Sequence, residues 1–250
     1  MARESQSPRT TDADDASIWR KLIGMVESVP GWSPPEELFS IFHLALATAP
    51  LGGDVLEIGS WCGRSAVALG WACQQAAAGH VFACDLFPKR EDWWRNADGT
   101  YSFAVEVDGR RLGAYQDQTV WPEPYERDIL PLYAKSEGIL DLFKEAMREF
   151  GVQSIVTAVQ GDSNALVARL PVETRIRVAF VDGDHGFDAV CQDIINVERF
   201  LLPGGWIAFD DAYTSYPGVD RAIKERIIEN PNYEAGIQLT RKMFAARRRV

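Results

Sequence analysis

Short runs of apolar residues alternate with longer stretches of helical periodicity along most of the chain. Each apolar run ends at a polar or acidic residue, a pattern typical of strands in a parallel sheet that helices cover on both faces. The five predicted strands are Val55–Ile58, Val81–Asp85, Ser154–Val159, Val178–Asp182 and Trp206–Asp211. A predicted helix around Val219–Ile228 then leads to two final strands, Tyr233–Leu239 and Lys242–Arg247, which we expect to pair as an antiparallel hairpin.

Two helices are predicted ahead of the sheet. Apolar residues within 18–29 recur at helical spacing, and Pro30-Gly31 ends that helix before Pro34-Pro35 opens a second one through Ala49. Both helices are candidates to cover a ligand bound at the sheet. Residues 1–15 are polar, with almost nothing to bury, so we predict a disordered tail there.

A long insertion separates the second and third strands. About seventy residues, from Leu86 to Gln153, replace the short connection that such units normally need. Within a single domain at 16–250, we interpret 87–150 as a lid or substrate-recognition element that closes with a helix over 136–150. Its aromatic residues are Trp93, Trp94, Tyr101, Tyr115, Trp121, Tyr125 and Tyr133. The same aromatic residues are equally typical of a small core within the insertion or of a dimer contact, so a homodimer is also considered.

Composition narrows the classes of function. The 250 residues carry a formal net charge of -10, which disfavours binding to nucleic acid because that requires an accumulation of Lys and Arg. No stretch approaches the roughly 20 apolar residues of a membrane span, and the N-terminus has no hydrophobic signal core. We therefore expect a cytoplasmic protein with no membrane partner. The 4 cysteines lack zinc-binding spacing and are expected to be buried thiols.

The first predicted strand runs into a turn that contains two glycines, in the segment Glu57-Ile58-Gly59-Ser60-Trp61-Cys62-Gly63-Arg64-Ser65. Gly59 permits a sharp turn out of the strand, and Gly63 lets the backbone approach a ligand at the start of the helix. The spacing is ExGxxxG, whereas a turn that holds a pyrophosphate reads GxGxxG. The glycines alone therefore do not identify the ligand.

Acidic residues stand at the ends of the next two strands. Asp85, followed by Leu86, ends the second strand, where a carboxylate can accept hydrogen bonds from both hydroxyls of a ribose. Gly161-Asp162-Ser163 follows the third strand, where Asp162 is a candidate to accept from an adenine amino group. The structural alternatives are a loop or capping role for Asp85, and capping of the next helix by Asp162 or Ser163.

The segment VLEIGSWCGRSAVAL at Val55–Leu69 resembles the first motif of class I S-adenosylmethionine-dependent methyltransferases, and especially that of the catechol O-methyltransferase group. The resemblance runs from about Val55 to Ala212 and leaves out the insertion. It implies a doubly wound α/β fold, a seven-stranded mostly parallel sheet of order 3-2-1-4-5-7-6, with S-adenosylmethionine across the carboxyl ends of the first strands. The implied cofactor-contacting residues are Glu57, Gly59, Ser60, Trp61, Gly63, Ser65, Asp85, Leu86, Gly161, Asp162, Ser163 and Asp182.

A second acidic group follows the fourth and fifth strands, in Asp182-Gly183-Asp184-His185 and Asp210-Asp211. Such charge density requires a cation or strong pKa shifts, although single acids after strands often only cap helices. Oxygen ligands with vacant positions suit a hard divalent cation, Mg²⁺ foremost. Metal-dependent O-methyltransferases similar to the catechol group place one aspartate and then a pair at these points, which implies Asp182, Asp210 and Asp211 as metal ligands.

The acids also bear on substrate and mechanism. An Asp-Asp pair is similar to that of metal-dependent enzymes acting on macrolide sugar hydroxyls, whereas catechol-type enzymes carry Asp-Asn. A lysine base of the catechol group stands where this chain has His185, a residue suited to accept a proton near neutrality. Asp184 is the alternative base, or even the first metal ligand.

The sequence thus predicts a metal-assisted O-methyltransferase acting on a hydroxylated small molecule, a natural-product sugar or a phenol. Two alternatives stay open. Oxidative chemistry on the same fold is one, because proteins resembling the cephalosporin 7-hydroxylase component share this cofactor fold and an acidic metal site. A ligand-binding module without catalytic activity is the other.

Overall fold

The computed structural model describes residues 11–114 and 119–250, with the backbone alone for 11–15. The helices are α1 (Thr11–Ser28), α2 (Pro35–Ala47), α3 (Arg64–Ala76), α4 (Pro122–Pro124), α5 (Ile139–Glu149), α6 (Ser163–Arg169), α7 (Phe187–Glu198) and α8 (Pro217–Ile223). Short 3-10 turns cover Ala49–Leu51, Arg90–Asp92 and Leu130–Ala134, and π-helical turns cover Tyr125–Ile129 and Lys224–Ile228. None of the helices in the described part of the chain has both the length and the apolar character needed to cross a lipid bilayer.

Helix α1 begins inside the segment that we predict as a tail, because the backbone is already helical at Thr11. Positions 1–10, which make up the rest of that predicted tail, lie outside the described residues, as does Tyr115 of the predicted aromatic set. Pro35 opens α2 as its first helical residue, the position at which its missing N–H costs no hydrogen bond.

The strands are β1 (Asp54–Ile58), β2 (Val81–Asp85), β3 (Trp93–Arg95), β4 (Tyr101–Val107), β5 (Arg110–Ala114), β6 (Val156–Gln160), β7 (Ile176–Val181), β8 (Leu201–Phe209), β9 (Tyr233–Gln238) and β10 (Phe244–Arg248). Seven of them form one sheet in the order β6-β2-β1-β7-β8-β10-β9. Numbered along the chain, these seven strands have the predicted order 3-2-1-4-5-7-6, and β10 pairs antiparallel with both neighbours, so the predicted fold is confirmed.

The register of the central strands determines where the site forms. β1 runs parallel to β2 and β7, with Ile58 opposite both Cys84 and Val181. β8 continues the parallel arrangement beside β7, with Phe209 opposite Val181. Because parallel strands end at the same edge, the residues that follow these strands meet there.

Both faces of the sheet are buried under helices. In β7, Val178 and Phe180 belong to the core that also holds residues of α1, α2, α3 and α5, whereas Ala179 and Val181 belong to the core with α6, α7 and α8. This alternation follows from the two-residue period of a strand, and it explains why these strands are apolar throughout.

Arg177 is fully buried in β7, at the end of the sheet away from the site. Its guanidinium donates to the carbonyl oxygens of Ala45, Gly53 and Ala78, and it contacts Sγ of Cys73 at 3.2 Å. No carboxylate of the described residues pairs with it. Arg177 thus ties together the end of α2, the start of β1 and the loop before β2.

The insertion folds as a separate antiparallel sheet, β3-β4-β5, and then returns to the main sheet through α5. Trp93 and Tyr125 are buried in its own small core with Phe103, and Tyr125 stacks on Tyr101 with ring centroids 3.8 Å apart. These aromatic residues pack the insertion. Trp121 differs, because it is 70% exposed.

Candidate active site

A cavity of about 1010 Å³ opens at the carboxyl ends of the parallel strands. Its walls come from the loops after β1, β2, β6, β7 and β8, from the segment 30–33 between α1 and α2, and from the insertion. Small-molecule sites usually measure about 300–1,000 Å³, so this cavity has room for a cofactor beside a second ligand.

The turn after β1 lies against the loop after β7. Gly59 has φ +90°, and a Cβ atom at this position would lie 1.8 Å from the carbonyl oxygen of Asp182. Glycine is therefore required here by close backbone contact as well as by conformation. Gly63 serves a different purpose, since a Cβ there would lie 2.6 Å from Cε of Met147 in α5. Gly63 makes room for the helix that closes the insertion.

Glu57 lies behind the cavity wall and is fully buried. Its Oε2 accepts a 2.6 Å hydrogen bond from the hydroxyl of Ser60. Burial raises the pKa of Glu57 to about 7, and hydrogen bonds with Ser60 and Ser65 oppose this rise. Glu57 thus fixes Ser60 and the turn, and Ser60 in turn lines the cavity.

Asp85 is held at the tip of β2 by two backbone N–H groups. Its Oδ2 accepts from Trp61 N at 2.9 Å, and its Oδ1 accepts from Phe87 N at 2.7 Å. Burial raises the pKa of Asp85, and these bonds oppose that rise. A carboxylate oxygen can accept two hydrogen bonds, so both oxygens keep a lone pair for ligand hydroxyls. This arrangement fits the ribose of the predicted cofactor.

The loop after β6 combines a structural role with a place at the cavity. Asp162 is the N-cap of α6, because its Oδ1 accepts from Ala165 N at 2.8 Å, and it also pairs with Arg110 of the insertion at 3.2 Å. Gly161, Asp162 and Ser163 all line the cavity. The capping alternative therefore holds for Asp162, whose carboxylate nevertheless borders the space for a ligand.

Asp193, in α7, lies beside this loop and was not predicted from the sequence. It is 7% exposed and lines the cavity, and Ser163 hydrogen-bonds to it. The amide of Asn196 donates to the Ser163 hydroxyl at 2.9 Å. Burial raises the pKa of Asp193 to about 7. The hydrogen bond with Ser163 opposes this rise, and the charge of Asp184 adds to it.

Asp182, His185 and Asp211 form the candidate metal group. One ligand atom from each lies within 4.8 Å of the others. Nε2 of His185 is 3.2 Å from Oδ2 of Asp211, and the imidazole stacks on Tyr216 with ring centroids 4.0 Å apart. Burial, followed by the charge of Asp210, raises the pKa of Asp182 well above its ordinary value. This is the effect expected of acids that lie close together in a partly buried site.

Asp184 and Asp210 lie outside that group. Asp184 is exposed, and its Oδ1 accepts from Gly186 N at 2.7 Å. Oδ2 of Asp210 is 2.6 Å from Nζ of Lys242, which also lies 3.4 Å from Oε2 of Glu37. Burial alone would lower the pKa of Lys242, but the contact with Asp210 outweighs it and holds that pKa above its usual value.

The donor set fits a divalent cation. The carboxylate oxygens of Asp182 and Asp211 suit a hard cation such as Mg²⁺ or Mn²⁺, and the imidazole of His185 lies beside them. In the part of the chain that the structure describes, Oδ1 of Asp210 is buried without a hydrogen-bond partner. Buried acceptors of this kind are costly unless a cation or donor approaches them.

Most predicted site residues line the one cavity described above. They are Gly59, Ser60, Trp61, Ser65, Asp85, Leu86, Gly161, Asp162, Ser163, Asp182, Asp184, His185, Asp210 and Asp211. Two predicted cofactor residues, Glu57 and Gly63, are not among the described residues that line the cavity. Both support the turn from the side away from the cavity. Lys242 and Asp193 also line the cavity, although no sequence motif indicates either residue. Glu37 contacts Lys242 from α2.

Comparison with known proteins gives a family match and several solved structures of similar fold. A family model described as a methyltransferase domain matches residues 56–212. Solved structures of similar fold include the O-methyltransferase NovP, at 14% identity and TM-score 0.66, covering 95% of this chain and 100% of that chain. Another is the SAH-bound methyltransferase PaMTH1 of Podospora anserina, at 12% identity and TM-score 0.58, with 100% of each chain covered.

A third similar structure is CalS11, which is named as a TDP-rhamnose 3'-O-methyltransferase of calicheamicin biosynthesis. It has 15% identity to this chain and a TM-score of 0.51, with 97% of this chain and 96% of that chain covered. At these identities, the likeness to each solved structure demonstrates a common fold.

Proposed function

Since the chain belongs to the methyltransferase family whose model it matches, we propose that it transfers a methyl group from S-adenosylmethionine to a hydroxyl oxygen of a small molecule, assisted by a divalent cation. The observation that carries this proposal is the cavity itself. The cofactor turn at Gly59 and the acidic group at Asp182 and Asp211 line one continuous space. They meet through the backbone contact between Gly59 and Asp182.

The cofactor would be held by the first two strand ends and by the loop after β6. Asp85 accepts the ribose hydroxyls with the lone pairs that Trp61 N and Phe87 N leave open. Gly161 and Asp162 border the adenine end. The SAH-bound state named for PaMTH1 supports S-adenosylmethionine as the cofactor.

The cation would be held by Asp182 and Asp211, and Asp210, the third ligand that the sequence predicts, lines the same cavity. A bound Mg²⁺ supplies a lower pKa for the acceptor hydroxyl and a fixed orientation for its oxygen. The site is partly shielded from solvent, since Asp210 is 4% exposed and His185 is packed against Tyr216. In-line displacement at a sulfonium carbon depends on such alignment of the attacking oxygen.

His185 is the proposed base. In the tautomer that donates Nε2–H to Asp211, the Nδ1 atom is left to accept the proton of the acceptor hydroxyl. Asp184, which lines the same cavity, is the alternative acceptor of that proton. Substitution of each residue in turn distinguishes the two roles.

Three tryptophans favour an acceptor with a flat apolar face. Trp32 and Trp61 pack against each other at 5.4 Å between ring centroids, and Trp121 of the insertion also lines the cavity. Such rings stack on sugars as well as on phenols. The Asp-Asp pair and the sugar substrate named for CalS11 favour a natural-product sugar hydroxyl.

The test combines binding and product mass. Purified protein should bind S-adenosylmethionine in calorimetry, and turnover with a panel of glycosides and phenols should give S-adenosylhomocysteine and a product heavier by one methylene unit. Chelation by EDTA should abolish turnover, and Mg²⁺ should restore it. Absence of cofactor binding would overturn the proposal, and a product heavier by one oxygen atom would point to oxidative chemistry instead.

A further inference from the structure

Two residues reach the acidic group from outside the matched region. Lys242 lies in the turn between β9 and β10, and Glu37 lies in the first turn of α2. Their side chains are 13% and 2% exposed. The match to the methyltransferase domain covers 56–212, so neither residue belongs to it.

One ammonium group contacts three carboxylates at this point. Nζ of Lys242 lies 2.6 Å from Oδ2 of Asp210, 3.4 Å from Oε2 of Glu37 and 3.5 Å from Oδ1 of Asp211. The hydrogen bond to Asp210 engages one of its oxygens and leaves Oδ1 buried, with no partner among the described residues. The ammonium of Lys242 therefore engages Asp210 through Oδ2 alone.

Four acids surround the same space as this ammonium: Glu37, Asp182, Asp210 and Asp211. Among the described residues, Lys242 is the basic side chain that forms ion pairs with three of them. Lys242 therefore compensates part of the negative charge that these acids carry when they are ionised. Two cations held within a few ångströms of each other repel, strongly so where water is excluded.

We propose that Lys242 is a tethered counter-cation of the metal site: its ammonium partly neutralises the acids there, and its positive charge weakens the binding of a divalent cation to them. Glu37 positions Lys242 by holding its ammonium from the side of α2. This inference rests on the cation-assisted function proposed above. Lys242 is a positioning residue and takes no part in the transfer itself.

The two roles predict effects of opposite sign when the charge is removed. In Lys242→Gln, the metal-free protein loses the compensation of buried acids, so its melting temperature should fall by about 5 °C. The same variant should bind Mg²⁺ and Mn²⁺ more tightly, by about tenfold, because the repulsion has gone. If Lys242 only supported the fold, its substitution would lower the melting temperature and the metal affinity together.

The experiment is isothermal titration of chelator-treated full-length protein with MgCl2 and with MnCl2 at one fixed pH, together with thermal melts with and without each metal. Lys242→Arg keeps the charge and should stay within about threefold of the wild-type metal affinity. Lys224→Gln is the matched control. It removes an exposed lysine that pairs only loosely with Glu229, at 3.8 Å, and should leave the metal affinity unchanged.

The outcomes separate this inference from the proposed function. Tighter metal binding by Lys242→Gln with a lower metal-free melting temperature supports the counter-cation role. Wild-type protein that binds metal, with Lys242→Gln binding equally or more weakly, overturns that role and leaves the proposed function standing. If neither protein binds Mg²⁺ or Mn²⁺ at millimolar concentration, the cation-assisted function and this inference both fail.

Discussion

The imidazole of His185 bridges two loops of the sheet edge, because its Nε2 lies 3.2 Å from Oδ2 of Asp211. His185 follows β7 and Asp211 follows β8, so the contact joins two strand ends at the candidate metal group. Stacking on Tyr216 holds the ring in this orientation. A histidine oriented by a carboxylate on one nitrogen is able to accept a proton on the other.

His185→Ala should lower kcat by about 100-fold or more, the usual contribution of a general base. Binding of S-adenosylhomocysteine should not change, since the first turn of α3 and Asp85 are untouched. Single-turnover kinetics and calorimetry measure the two effects. Asp184→Asn is the comparison, and a larger loss of kcat in that variant than in His185→Ala would identify Asp184 as the base.

Asp85→Ala should weaken the binding of S-adenosylhomocysteine at least about tenfold, because charge-assisted hydrogen bonds to ribose hydroxyls contribute about 1.5–3 kcal/mol. Calorimetric titration gives the dissociation constant. Asp54→Ala is the control, since Asp54 accepts from His80 N at the opposite end of β1. Equal affinities in Asp85→Ala and the wild type would exclude the ribose role.

Asp193 makes stability depend on pH in a defined direction. Its pKa is about 7 in the folded protein, whereas an aspartate ordinarily has a pKa of 3.8, so between these pH values the folded state retains a proton that the unfolded chain has lost. Stability from this group is therefore fully present below pH 3.8, falls as pH rises towards 7, and stays low above that.

Asparagine has no titratable carboxyl group, so Asp193→Asn should remove this loss of stability with rising pH. Relative to wild type, the variant should gain about 2 kcal/mol in free energy of unfolding between pH 5 and pH 7. Urea denaturation at both pH values measures the difference. Asp188→Asn, an exposed position in the same helix, should show no such gain, and the idea fails if the two variants behave alike.

Arg177→Met should destabilise the protein by about 3 kcal/mol or more, because it leaves several buried carbonyl groups without a donor. Equilibrium unfolding in urea measures this loss. Arg175→Met is the matched control two residues earlier, where the side chain donates to Thr174 O and is partly exposed. A loss below about 1 kcal/mol in Arg177→Met would show that water or repacking satisfies those carbonyls.

The strand order could be predicted from the sequence because each buried strand is apolar throughout and ends in a polar residue. The boundaries were less accurate where glycine and proline occur inside a strand. β8 begins at Leu201, whereas the prediction started at Trp206, after the run Pro203-Gly204-Gly205. The pairing with β7 is irregular near this run, so the strand continues through it instead of ending.

The residues of the candidate site also fall into some that the sequence predicts and others that it does not. Asp85, Asp182 and Asp211 could be predicted because they follow strands whose ends must meet. Glu37 and Lys242 could not, since they lie far apart in the sequence and only the packing of α2 and the β9–β10 turn brings them together. No local pattern records such a contact, and an acid in the first turn of a helix is ordinarily explained by the helix dipole.

The backbone contact between Gly59 and the carbonyl of Asp182 leaves no space for even a methyl group. The turn that would hold the cofactor and the loop that would hold the cation therefore cannot shift independently. We expect an energetic coupling between the two ligands, and such coupling is reciprocal: the factor by which Mg²⁺ tightens the cofactor must equal the factor by which the cofactor tightens Mg²⁺. Gly59→Ala would disturb both affinities from a single position.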